Sequence, residues 1–285
     1  MNINISSEEF ELMQRYIEEE CGISIGNDKA YLIESRLSGM LRELGCSSYG
    51  ELYNHIYNSE DKRVTQRVID AITTNETLWF RDKTPWAILE EELLPLYVEQ
   101  LKSREKDRIR IWSAGCSTGQ EPYSIAMTIN SFLEERGLKS ELLYKFEIIG
   151  TDISPTVLDM AKNGRYDNIS IMRGLPVECR DRYFKNEGRI WTLDRTIMDM
   201  VELKQFNLQN SFMLLGKFDI IFCRYVMIYF SPEFKVKMAE KLHRALNTEG
   251  VLFVGSSEMF SGHRELFDTE EYRGGVYYRK KEETL

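Results

Sequence analysis

The segment SAGCSTGQEPYS, residues 113–124, places two glycines and a carboxylate within a few positions of one another. Gly115 and Gly119 permit a sharp turn and a close approach of backbone to a ligand. Turns of this kind, at the carboxyl end of a sheet's first strand, hold nucleotides. The dinucleotide spacing GxGxxG is absent, and Gln120 stands after Gly119 where a phosphate-cradling loop needs lysine. A nucleotide-like ligand without phosphates fits better, and the plain alternative is an ordinary strand-to-helix turn. Glu121 falls near the start of the next helix, where the amino-end dipole favours a carboxylate. It either caps that helix or accepts hydrogen bonds from an amino or hydroxyl group of a cofactor. Asp152 closes KFEIIGTD. A carboxylate only accepts, so it suits the two hydroxyl donors of a ribose and repels a 2′-phosphate. The alternative is a cap for the helix that begins near Pro155.

These residues need a sheet to hold them, and the pattern from residue 108 onward supplies one. RIRIWSAG alternates and then turns on glycine, and a helix follows over about 121–137. KFEIIGTDIS, MVELKQFNL, KFDIIFCR, EGVLFVGSSE and GGVYYRKK read as further strands. PTVLDMAKNG, closed by Gly164, and SPEFKVKMAEKLHRAL, with Ser231 as cap and Pro232 at its first position, read as helices. Strand and helix alternate, so the expected fold class is an open α/β sheet covered on both faces. Residues of about 165–195 break the alternation and form an insertion. Ahead of the sheet, residues 1–72 carry helical stripes such as Phe10, Met13 and Ile17. Helices are expected over about 7–21, 28–44, 49–57 and 62–72, the first capped by Ser6 or Ser7. Pro85 suits a first helical turn, and Pro95 interrupts or kinks the helix AILEEELLPLYVEQL.

Composition narrows the function classes. With 46 acidic against 37 basic residues the net charge is -9, the wrong balance for a non-specific nucleic-acid binder. The five cysteines are scattered without CxxC spacing, and His55, His243 and His263 show no ligand-like interval, so neither a disulfide framework nor a metal site is expected. The first residues lack a secretory pattern, and no apolar run reaches the ~20 residues that span a bilayer. The expectation is a cytoplasmic monomer.

The blocks TTNETLWFRD, SAGCSTGQEPYSIAM, GTDISPTVLDMAKNGRY, FNL and FDIIFCRYVMIYF, in this order, resemble the CheR-type chemotaxis receptor methyltransferases. The likeness covers nearly the whole chain. It implies a Rossmann-like S-adenosylmethionine-dependent methyltransferase domain over 73–285, with a mostly parallel sheet. It further implies a helical receptor-recognition domain over 1–72 and a small β-subdomain inserted at about 165–195. The implied activity is methyl transfer from S-adenosylmethionine to glutamate side chains on the cytoplasmic helical region of chemoreceptors. The products are glutamate methyl esters and S-adenosylhomocysteine. A cofactor-binding signalling module without turnover and a methyltransferase acting on another substrate are the alternatives.

Residue by residue, the resemblance assigns Asn75, Thr77 and Arg81 to cofactor contacts, with Arg81 clamping the methionine carboxylate. Gly115, Glu121 and Asp152 join them, Asp152 on the ribose. Asn207 and Leu208 match the pair lining the adenine pocket. Arg224 and Tyr225 match the pair after the fourth strand, where asparagine is the common residue at the Tyr225 position. Tyr229 matches a tyrosine facing the methyl group. Plainer readings exist: Asn75 and Thr77 as turn and cap residues, Arg81 in an ion pair, Tyr225 and Tyr229 as core aromatics. In this family an inserted β-subdomain can grip a peptide at the receptor's C-terminus. The turn KNEG here is short with a single glycine, which implies independence from such a tether. Lys29, Arg36, Arg42, Lys62, Arg63 and Arg67 form a candidate basic face for an acidic receptor helix, or a solvated surface.

Overall fold

The structure, a computed structural model, describes residues 3–59, 61–258, 260 and 264–282; His263 lies outside them. Four helices come first: α1 (Ser7–Cys21), α2 (Ala30–Leu44), α3 (Tyr49–Tyr57) and α4 (Lys62–Ile72). Ser6 caps α1 in a capping box, its backbone N–H donating to Glu9 Oε2 at 2.9 Å while Glu9 N–H donates to Ser6 Oγ at 3.3 Å. Gly22, at φ +75°, ends α1 in the left-handed region that a side chain resists. Met13, Ile17, Ile33, Leu37 and Leu52 are buried together as the core of this helical layer.

The basic face expected there is smaller in the fold. Arg36 turns inward and donates to the carbonyls of Ile72 and Thr73 and to Thr74 Oγ1, so it caps the end of α4. Arg67 pairs with Glu43, and Arg63 with Asp61. Hydrogen bonding to helix-end carbonyls outweighs a surface position for Arg36, which the seven-residue spacing from Lys29 does not reveal.

Helix α5 (Thr84–Ile88) runs through a π-helical turn, Leu89–Leu93, into α6 (Leu94–Lys102). Pro95 sits in the first turn of α6, where its missing N–H costs little, so the π turn absorbs the interruption. The α/β layer follows as β1 (Ile109–Ala114), α7 (Gln120–Glu135), α8 (Lys139–Leu142), β2 (Phe146–Asp152) and α9 (Pro155–Asn163). The insertion holds β3 (Arg165–Asp167), α10 (Asn168–Met172), α11 (Val177–Tyr183), β4 (Phe184–Glu187) and β5 (Ile190–Leu193). The chain closes with α12 (Arg195–Met198), β6 (Val201–Gln205), β7 (Phe218–Phe222), α13 (Pro232–Ala245), β8 (Leu246–Phe253), β9 (Phe267–Tyr272) and β10 (Gly275–Lys280).

The main sheet has the order β6-β2-β1-β7-β8-β10-β9, parallel from β6 to β8, with β10 antiparallel to β8 and β9 antiparallel to β10. The strand order reverses at β1, and ligands bind outside the carboxyl ends of strands at such a point. Strands β3, β5 and β4 form a separate antiparallel sheet, whose turn between Glu187 and Ile190 holds Gly188 at φ +84°. Trp79 anchors this sheet to the main body, edge-on to Tyr166 at 4.9 Å and Phe184 at 5.3 Å. Strand β9 has no counterpart in the sequence reading. Its residues FDTEEY bury Phe267 and are otherwise polar, because an edge strand needs no full apolar face. Ser231 holds the cap position of α13 without a side-chain bond to the helix.

The helical layer is tied to the sheet by backbone. Ile23 forms an antiparallel bridge with Phe230, and Ser24 N–H donates to Tyr229 O at 2.8 Å. Asn207 Nδ2 and Gln209 Nε2 donate to the α1 carbonyls of Glu20 and Glu18 at 2.7 and 2.8 Å.

Candidate active site

A solvent-open cleft of about 930 Å³ lies at the carboxyl ends of β1, β2 and β7 and is closed on one side by the helical layer. Asn75, Thr77, Arg81, Gly115, Glu121, Asp152, Asn207, Leu208, Arg224, Tyr225 and Tyr229 all line it, so the structure brings every expected site residue together.

The β1–α7 turn forms the floor. Gly115 N–H and Cys116 N–H both donate to Thr151 O, at 2.8 and 2.9 Å, which locks the turn to β2. Gly115 has φ +74°, and a Cβ there would come within 2.5 Å of Val226 Cγ2, so only glycine leaves the floor open. Asp152 is buried at the end of β2, with Oδ2 accepting from Ser117 N–H at 2.8 Å and Oδ1 from Ser154 N–H at 3.0 Å. Burial pushes its carboxyl above the usual range, against the pull of those backbone donors. Each oxygen keeps acceptor capacity toward the cleft.

Glu121, in the first turn of α7, is held from both sides. Ser113 Oγ donates to Oε1 at 2.8 Å, and Arg224 Nη1 pairs with Oε2 at 2.9 Å. Arg224 also pairs through Nη2 with Asp82 at 2.8 Å and donates to Arg81 O at 2.5 Å; its side chain is 1% exposed. Asp82 receives the Tyr225 hydroxyl at 2.7 Å as well. Burial pushes the Asp82 carboxyl up, but the Tyr225 bond and the Arg224 charge outweigh it and hold the group below its usual range. The sequence reading missed Asp82, although it adjoins Arg81, because its partners lie more than a hundred positions away.

Arg81 differs. Among the described residues its guanidinium makes no ion pair and no hydrogen bond; its Cζ lies 3.4 Å from the centroid of the Tyr225 ring. Its backbone carbonyl is fixed by Trp86 Nε1 at 3.1 Å. Asn75 fixes the same segment through its carbonyl, which accepts from Ser117 Oγ at 2.8 Å. Asn207 contributes to the cleft wall while its amide is engaged elsewhere, Nδ2 with Glu20 and Oδ1 with the N–H of Gln209 at 2.9 Å. Leu208 is held by Lys241, whose Nζ donates to the Leu208 carbonyl. Burial and the nearby Arg244 charge lower the Lys241 ammonium to about 8. Tyr229 presents a hydroxyl that no other described residue bonds. Glu258, also unforeseen from the sequence, accepts from Tyr225 N–H at 2.6 Å, Gly255 N–H at 2.6 Å and Ile228 N–H at 3.2 Å, stapling the Tyr225–Tyr229 wall.

The all-alpha domain of the CheR methyltransferases matches residues 8–73, and their SAM binding domain matches residues 75–276. The chain belongs to the CheR methyltransferase family. This methyltransferase is 41% identical over 275 residues to chemotaxis protein methyltransferase Cher2 of Pseudomonas putida, covering 96% of this chain and 98% of that one. It is 40% identical over 281 residues to chemotaxis protein methyltransferase 1 of Pseudomonas aeruginosa, covering 98% and 100%. To the chemotaxis protein methyltransferase of Borreliella burgdorferi it is 34% identical over 282 residues, covering 98% and 96%. The methyltransferase uses S-adenosylmethionine and acts in chemotaxis. Among the described residues no helix is long and apolar enough to cross a membrane.

Proposed function

We propose that the enzyme methylates glutamate side chains on the cytoplasmic helical region of a chemoreceptor, working in the cytoplasm as a monomer. The observation that carries this reading is the Arg81 fork, unpaired among the described residues, in the same cleft as the buried Asp152 carboxylate. A planar donor fork suits the methionine carboxylate of the cofactor. Asp152 accepts from the ribose hydroxyls, Glu121 from the amino group, and Leu208 with the Asn207 backbone flanks the adenine. Asn75, Thr77 and Gly115 shape the remaining wall, and the Tyr225 backbone borders it.

Bound there, S-adenosylmethionine supplies an activated methyl group on a cationic sulfonium. A glutamate carboxylate is already ionised near neutral pH, its reference value being about 4.3. The residues therefore need to align the acceptor rather than remove a proton from it. The free Tyr229 hydroxyl donates to the incoming carboxylate and steadies it as it leaves water.

Transfer of radiolabelled methyl to isolated receptor cytoplasmic fragments tests the acceptor. Label released by mild base is expected, as for an ester; base-stable label would mark an amine or nucleic-acid acceptor and defeat the reading. We further propose that no C-terminal peptide tether is used, since the β4–β5 turn is two residues long. Micromolar binding of the receptor tail peptide in calorimetry would overturn that part.

A further inference from the structure

We propose that Tyr225 is a positioning residue whose ring holds the Arg81 fork ready for the cofactor's carboxylate. The inference rests on the assignment of Arg81 made above and adds a role for the side chain that departs from the family's common asparagine. The guanidinium carbon lies 3.4 Å from the ring centroid, a close cation–π stack. Stacking fixes the plane of the fork and leaves its N–H edges free, so less motion is lost when a carboxylate arrives.

The ring is itself held at its hydroxyl, along one edge and through its backbone. Its hydroxyl bonds Asp82 Oδ2 at 2.7 Å and Ser256 Oγ at 2.9 Å. Gly255 packs against it so closely that a Cβ there would come 2.9 Å from Cδ1 and Cε1. The backbone of Tyr225 is left-handed, at φ +58°, a conformation that costs free energy for any residue with a Cβ. Such strain persists only where the surroundings over-determine it, and Glu258 does so by accepting the Tyr225 N–H.

The same hydroxyl bond solves a second problem. Asp82 is next to Arg81 in sequence and is the natural carboxylate to capture its fork. Instead both the Tyr225 hydroxyl and Arg224 converge on Asp82 Oδ2. Tyr225 thus occupies the competing acceptor with its tip and orients the donor with its face.

The test compares two ligands by calorimetry on the full chain. S-adenosylhomocysteine carries the amino-acid carboxylate, and 5′-methylthioadenosine lacks it. Y225L is expected to weaken S-adenosylhomocysteine about two- to thirtyfold, the range of one cation–π contact, with the affinity for methylthioadenosine unchanged. Y225F, which keeps the ring face but gives up the bond to Asp82, is expected to restore only part of the affinity. In an R81A background Y225L is expected to add nothing. Equal weakening of both ligands by Y225L, no weakening, or an undiminished effect in R81A would each overturn the proposal. Should Y225L not fold, Y225N serves in the same comparison, because asparagine tolerates the left-handed backbone. Failure of the underlying assignment is separately visible: R81A alone would then leave the preference for S-adenosylhomocysteine over methylthioadenosine intact.

Discussion

Arg224 and Arg81 meet in one cleft, the first from the end of β7 and the second from the segment ahead of α5. Arg224 is closed in: Glu121, Asp82 and a backbone carbonyl surround its guanidinium. Arg81 is open, with one aromatic face beneath it and no ion pair among the described residues. An interior charge whose two Nη groups are both engaged organises its neighbours and has little left to offer a ligand, although the buried Nε of Arg224 has no partner among the described residues. An unpaired guanidinium inside a walled cleft carries an unmet electrostatic demand that a carboxylate from outside can satisfy. Under the proposed assignment, the difference separates the residue that builds the site from the residue that binds.

The largest expected effect tests the closed side. R224A leaves two carboxylates facing each other without their shared cation, so it should lower folding stability by about 3–5 kcal/mol. Denaturant titration checks this, and a loss below about 1 kcal/mol would erase the contrast with Arg81. On the open side, R81A should change stability by less than about 1 kcal/mol. Its cofactor affinity should fall by roughly 2–5 kcal/mol, and calorimetry showing unchanged affinity would remove Arg81 from the clamp. Y229F should leave cofactor affinity intact and slow turnover by an amount equivalent to about 1.5–3 kcal/mol, one hydrogen bond to a charged group. Full turnover at saturating receptor and cofactor would take the hydroxyl out of the mechanism.

The smallest effect concerns pH. Burial raises the folded-state value of Asp152, so the unfolded chain ionises first. Its contribution to stability is therefore present in acid and is lost as pH rises through the raised value. Ribose hydroxyls favour the ionised form, so binding in acid should expel a proton. Cofactor affinity should fall on acidification below the raised value, by at most about 1.4 kcal/mol per pH unit. Calorimetry in buffers of different ionisation enthalpy reads the proton release, and its absence would detach Asp152 from the ribose.

Local pattern in the sequence carried most of the fold. The capping residues at Ser6 and Gly164, the glycine turn after β1 and the acidic end of β2 each obey rules that act over a few positions. The residues that line the cleft were legible because several blocks in fixed order belong to one family. What stayed hidden depends on distant partners. Nothing near Arg224 in sequence announces Glu121 or Asp82, and nothing near Arg36 announces the end of α4. Strand β9 escaped because it lies at an edge and needs little apolar patterning. Tyr225 was visible as a departure from the family, but its left-handed backbone and its stack on Arg81 exist only in the folded chain.

The bridge from Ile23 to Phe230 makes the helical layer part of the wall that carries Tyr229. Cys21, Ile23 and Thr73 border the same cleft. The two layers are therefore poor candidates for exchange as interchangeable modules. A chimaera that borrows its helical layer from a relative must also inherit a compatible loop after α1. Otherwise the hybrid alters the chemistry while changing only the helical layer.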